Sequence, residues 1–108
     1  MVSERLERLC DIATGAHQKI QATFKHIDPI VGVNQRMRQS GFAADLMTID
    51  CLKSGKRILI VLHDDDLKTV DYQFTYKDQN PSESFQKLAF SELTEKTLFD
   101  WMADYFSA

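Results

Sequence analysis

The chain has 108 residues, 44% hydrophobic and 27% charged; this is ordinary globular composition, which excludes a disordered or fibrous chain and suits one domain with its own core. Its net charge of −3 argues against general nucleic-acid binding. That charge is unevenly placed, with nine Lys/Arg against six Asp/Glu in residues 1–60 and four against ten in residues 61–108, a split that suits a second copy of the chain or a basic partner protein.

In chain order, the opening Met1 to Leu9 is broken by Glu4, Arg5, Glu7 and Arg8, and no later apolar run approaches the roughly 18 residues of a membrane span. A soluble, cytoplasmic protein without membrane contact is the expectation. Cys10 and Cys51 lack C-x-x-C spacing and read as reduced packing residues. Ser3 is placed as an N-cap, with Glu4 in the first turn where the helix dipole favours a carboxylate. Val2, Leu6, Leu9, Ala13, Ala16, Ile20, Thr23 and Ile27 then recur at alternating steps of four and three, which predicts an amphipathic helix. Ala13, Gly15 and Ala16 make its middle small enough for close approach by a sheet or by a partner helix.

Asp28-Pro29 ends this helix and also reads as the start of a second one. Asp28 would be its N-cap, Pro29 its first residue, and Ser40-Gly41 its stop. Ile30, Val33 and Met37 fit one face, although Gly32 weakens it. The N-terminal third would then be a helical hairpin.

The clearest β-pattern runs from Leu46 to Lys77. Lys56 to His63 carries five successive apolar residues between charged ends, the signature of a central strand buried on both faces. Ser54-Gly55 is a turn signal that folds Leu46 to Leu52 back against it. Thr69 to Lys77 alternates, with Val70, Tyr72, Phe74 and Tyr76 on one face and polar residues on the other. After the Asn80-Pro81 turn signal, Phe85 to Phe90 reads as a fourth short strand, with a helical turn capped by Asn80 and Glu83 as the alternative. Thr94 is placed as the N-cap of a final helix, with Leu93 and Leu98 as a hydrophobic staple.

That helix carries Leu98, Phe99, Trp101, Met102, Tyr105 and Phe106. Most of the stripe should cover the sheet, and Phe99, Trp101, Met102, Tyr105 and Phe106 are the candidate interaction residues. The fold class is therefore α+β: an N-terminal helix or helical hairpin, a three- to four-stranded antiparallel meander, and a C-terminal amphipathic helix packed on the sheet, all in one domain.

Candidate chemistry centres on His63-Asp64-Asp65-Asp66, with Asp50 and Asp71 on neighbouring strands. Carboxylates at a strand end can ligate Mg²⁺ or Mn²⁺ and a histidine can act as base, so His63, Asp64 and Asp66, supported by Asp50 or Asp71, would suit a metal-dependent phosphoesterase or nuclease. Aspartates are also what a hairpin turn selects, and consecutive strand residues point to opposite faces, which favours the turn reading. His17 and His26 are nine residues apart, too far for a helical i, i+4 metal pair. Arg36, Arg38, Lys53, Lys56 and Arg57 form the basic concentration, read as a solvated face or as an anion site drawn from Arg36, Arg38, Lys56 and Arg57. With no P-loop, no G-x-G-x-x-G and no G-x-S-x-G, no cofactor is expected. Contact-based action is favoured over catalysis: an accessory or regulatory protein that meets another protein or a second copy of itself.

Overall fold

A computed structural model describes residues 4–79 and 84–107. Val2, Ser3, the Asn80-Pro81 turn and Glu83 lie outside the described residues. Helix α1 runs over Glu4–Thr23, strand β1 over Pro29–Asn34, and a single helical turn, α2, over Arg36–Gln39. Strands β2 (Ala44–Cys51), β3 (Lys56–His63), β4 (Thr69–Tyr76) and β5 (Gln86–Ala89) follow, and after a 3-10 turn at Phe90–Glu92 comes helix α3 (Glu95–Phe106). The strands form one antiparallel sheet in the order β1-β2-β3-β4-β5, so each lies beside its neighbour in sequence.

The meander forms where the periodicity places it. Gly55 takes a positive φ of 73°, which glycine reaches without a Cβ clash, and its N–H donates to Cys51 O at 2.9 Å to close the β2–β3 turn. Pairing of Ile49 with Ile58, Met47 with Ile60 and Ile58 with Phe74 puts these side chains on one inner face. There Leu6, Leu9, Ile12, Ala13, Ala16 and Ile20 of α1 and Leu98, Met102 and Phe106 of α3 complete the core. Full burial of a leucine such as Leu98 contributes about 2 kcal/mol by removal of apolar area from water. The outer face bears Asp50, Arg57, Leu59, Val61, His63, Asp71 and Gln73 at the alternate positions. Leu59 and Val61 are buried there too, as expected of the central strand.

Both helix ends follow side-chain demands. Thr94 accepts the Thr97 N–H at 3.2 Å as the N-cap of α3, and Leu93 and Leu98 on either side of it are buried, as the staple requires. Helix α1 stops at Thr23, short of Asp28. Ile27 N–H donates to Phe24 O at 3.1 Å in the turn that follows, and that turn seats Ile27 in the core.

Two expectations are corrected. Residues 29–40 are not a second helix but a strand followed by one helical turn, so there is no helical hairpin, and the sheet has five strands rather than three or four. The physical reason is tertiary. Ile30, Val31 and Val33 are β-branched, and β2 lies in antiparallel register beside all three. Pro29 sits at the first strand position, where a missing N–H is tolerated. The Ser40-Gly41 stop does operate: Ser40 N–H donates to Arg36 O and Met37 O, and Gly41 has a φ of 94°. Phe85 to Phe90 contains β5, as read from the sequence.

Candidate functional site

The His63 to Asp66 corner is held from beneath by α1. Arg5 donates to the carbonyls of His63 (2.6 Å), Asp66 (3.1 Å) and Thr69 (3.4 Å), with its guanidinium 6.0 Å from the Phe90 ring centroid. Three accepted carbonyls define the path of the turn. Asp66 folds back into that turn, accepting from Thr69 Oγ1 at 2.6 Å and from Lys68 N–H at 3.3 Å, and these bonds hold its carboxyl below the usual range.

Asp64 points elsewhere, to Arg38. That guanidinium forks onto Asp64 at 2.7 and 2.9 Å and onto Asp45 at 3.0 Å through each of two nitrogens. Its bonds to Asp64 first, then to Asp45, push the Arg38 pKa upward, and Arg38 holds the Asp64 carboxyl below its ordinary value. Asp45 is only 2% exposed, so Arg38 compensates a charge that has left water. Sequence reasoning missed Asp45. A carboxylate next to the apolar Leu46 and Met47 near the start of a strand was the available signal.

On the outer face, Arg57 pairs with Asp50 at 2.6 and 2.9 Å, a cross-strand neighbour in register, and the bonds to Asp50 raise the Arg57 pKa. His63 Nε2 lies 3.1 Å from Asp71, which also accepts from Lys87 Nζ at 2.8 Å; the bond to Asp71 raises the Lys87 pKa. Of the candidate metal residues, Asp64 is taken by Arg38 and Asp50 by Arg57, while His63, Asp66 and Asp71 line one pocket with Asp65 and Lys87, where Asp66 is bonded within its own turn and Asp71 to Lys87. Among the described residues, no group of three or more His, Cys, Asp or Glu is assembled as a metal ion needs. The basic residues divide as well. Arg38 and Arg57 hold carboxylates, Arg36 and Lys53 are exposed, and Lys56 Nζ donates to Tyr105 O at 2.9 Å while lying 5.1 Å from the Tyr105 ring centroid.

The aromatic stripe of α3 separates into two parts. Met102 and Phe106 lie in the core, whereas Phe99, Trp101 and Tyr105 pack on it while keeping partial exposure. Trp101 stacks on Tyr72 with centroids 4.4 Å apart and meets Phe74 edge-on at 5.5 Å; Phe74 in turn lies 5.1 Å from Tyr105. Tyr105 is anchored by its hydroxyl, which donates to Thr75 O at 2.6 Å, and burial pushes its phenol pKa upward. Phe74, Trp101, Tyr105 and Asp104 line a cup of about 260 Å³. Phe74 was not among the candidates, although the alternation of β4 had already put it on the helix-facing side. Asp104 carried no sequence signal of its own.

A wider groove of about 800 Å³ runs between α1 and the segment leading into α3, with Arg8, Lys68 and Glu95 on its walls. Those three are not joined to one another by any hydrogen bond or ion pair among the described residues. No helix among the described residues is long and apolar enough to cross a membrane. No family model, curated protein or solved structure matches the chain.

Proposed function

We propose that this chain is a small accessory protein that acts by contact, docking a basic segment of a partner protein in the cup formed by Phe74, Trp101 and Tyr105. One observation carries the reading: three aromatic rings, fixed against one another by edge and tilted contacts, stay part-exposed around a cup with a carboxylate on its rim. Aromatic surface left in water at a rigid site is what a contact hot spot offers. A Lys or Arg side chain fits it twice over, its apolar stem against the rings and its charge over a ring face, an arrangement worth about 0.5–2 kcal/mol. Asp104 adds a charge-assisted hydrogen bond at the rim.

The excess of ten acidic over four basic residues in 61–108 supports the same partner chemistry, because a field of one sign speeds encounter with the other. Lys56 over Tyr105 is an internal instance of the contact. By contrast, Asp64 is engaged by Arg38, and Asp66 by the Thr69 hydroxyl and the Lys68 N–H of its own turn, which favours a structural task for these two over a catalytic one.

Trp101 is the only tryptophan, so its emission reports on the cup directly. Titration with a peptide alternating Arg and Leu should shift that emission saturably, and a peptide with Glu in place of Arg should not. Asp104→Lys should weaken the Arg peptide about tenfold. No saturable shift with the Arg peptide, or equal binding of both peptides, would refute the proposal.

A further inference from the structure

The two edges of the sheet are built differently. At one edge, β5 is four residues long and carries Lys87, so it is short and charged, as protected edges are. At the other, β1 reads Pro-Ile-Val-Gly-Val-Asn, with no charge, and exposes Ile30 (49%), Val31 (36%) and Val33 (45%). Such an edge is a template for another strand.

The backbone orientation of that edge follows from its neighbours. Cys51 turns its carbonyl towards the β2–β3 turn to accept from Gly55 N–H, so its partner across the other side, Pro29, occupies a pair without reciprocal hydrogen bonds. Pro29 O accordingly meets His17 Nε2 at 2.8 Å instead of β2. Because the pattern alternates along an antiparallel strand, Ile30, Gly32 and Asn34 bond to β2, while Val31 and Val33 direct N–H and C=O outward. His17 closes one end of this free edge.

We infer that β1 pairs antiparallel with β1 of a second copy of this chain, about a two-fold axis at Gly32, to give one continuous sheet across both copies. In this register Val31 of each copy opposes Val33 of the other in two reciprocal pairs, giving about four backbone hydrogen bonds. The flanking charges select the register and the partner. Asp28 of one copy comes opposite Arg36 of the other at both ends, and the span between them, residues 29–35, is uncharged. Asp28 and Arg36 are exposed, and the Arg36 guanidinium is in no ion pair among the described residues. An unrelated strand would have to supply the same spacing of opposite charges, whereas a second copy supplies it by symmetry. The pairing stands independently of the aromatic cup, which is built on β4 and α3.

Sedimentation velocity of the full chain over about a hundredfold range of concentration tests it. The expected result is a monomer at the low end that shifts to a dimer at the high end, with slowed amide exchange at Val31 and Val33 in the dimer. Arg36→Asp alone should weaken the dimer about tenfold by placing like charges opposite each other, and adding Asp28→Arg should restore it. Val31→Pro removes an outward N–H that β2 does not use, so it should leave the monomer folded, as judged by circular dichroism, and abolish the dimer. A monomer at every concentration overturns the inference. A dimer indifferent to Val31→Pro in folded protein, or one that the paired charge exchange fails to restore, overturns it as well.

Discussion

The two faces of the sheet are held by different forces. On the inner face, Ile58, Ile60, Met47 and Ile49 lie against two helices and are essentially inaccessible to water; their contribution scales with the apolar area removed from solvent. The outer face has neither α1 nor α3 over it and joins its strands through Arg57 with Asp50 and through Lys87 and His63 with Asp71. What keeps the outer pairs in place is less their mutual attraction than the penalty of leaving one member behind, since Asp50 is only 8% exposed. Removal of a core side chain from the inner face therefore leaves a void, whereas removal of one member of an outer-face ion pair leaves an uncompensated charge.

Three experiments sharpen or break that contrast. The largest effect belongs to the inner face. Ile60→Ala should lower unfolding stability by about 3 kcal/mol through lost burial and a residual cavity, read from urea denaturation, and a loss below about 1 kcal/mol would show that the helices do not pack there as described. Next, Arg57→Ala should lose about 1–2 kcal/mol by stranding the Asp50 carboxylate, while Arg57→Ala combined with Asp50→Ala should lose less than the sum of the two single changes. Strict additivity would mean that the pair is not coupled. The smallest effect is a pH effect at the corner. Arg38 lowers the folded-state pKa of Asp64, so this group stabilises the fold above its unfolded value near pH 3.8, and the stabilisation fades as pH falls through the lower folded value. Asp64→Asn should flatten the stability profile in that acid range and leave its slope near neutrality unchanged. An unaltered acid limb would remove Arg38 as the anchor of the corner.

Strands β2, β3 and β4 were legible because their signals are local: alternation, a run of β-branched residues, and turn residues at Ser54-Gly55. The Thr94 cap was legible for the same reason, since the donor it satisfies is three residues away. Strand β1 was not, because Asp28-Pro29 is locally a valid helix start, and the partner that overrides it, β2, begins ten residues beyond the end of β1. The candidate site divided along the same line. Arg38 and Asp64 each stand out in the sequence, one in a basic group and one in an acidic group, but the contact that joins them spans 26 positions and follows only once β2 and β3 are paired. Likewise the aromatic load of α3 was visible, while its division into buried Met102 and Phe106 and part-exposed Trp101 and Tyr105 required the sheet.

The core closes between α1 and α3, which pack together although residues 24–94 separate them in the chain. Each sheet hairpin can form as soon as its own residues leave the ribosome, but the helix that seals the apolar face arrives only after all five strands. At common rates of synthesis that interval is on the order of ten seconds. Throughout it, Ile58, Ile60 and Met47 present a sticky surface covered by α1 alone, open to chaperones and to neighbouring chains on the same message. The vulnerable period in the life of this protein therefore falls before Leu98 is translated, and codons that slow the ribosome between β5 and α3 should lower the soluble yield without changing a single residue.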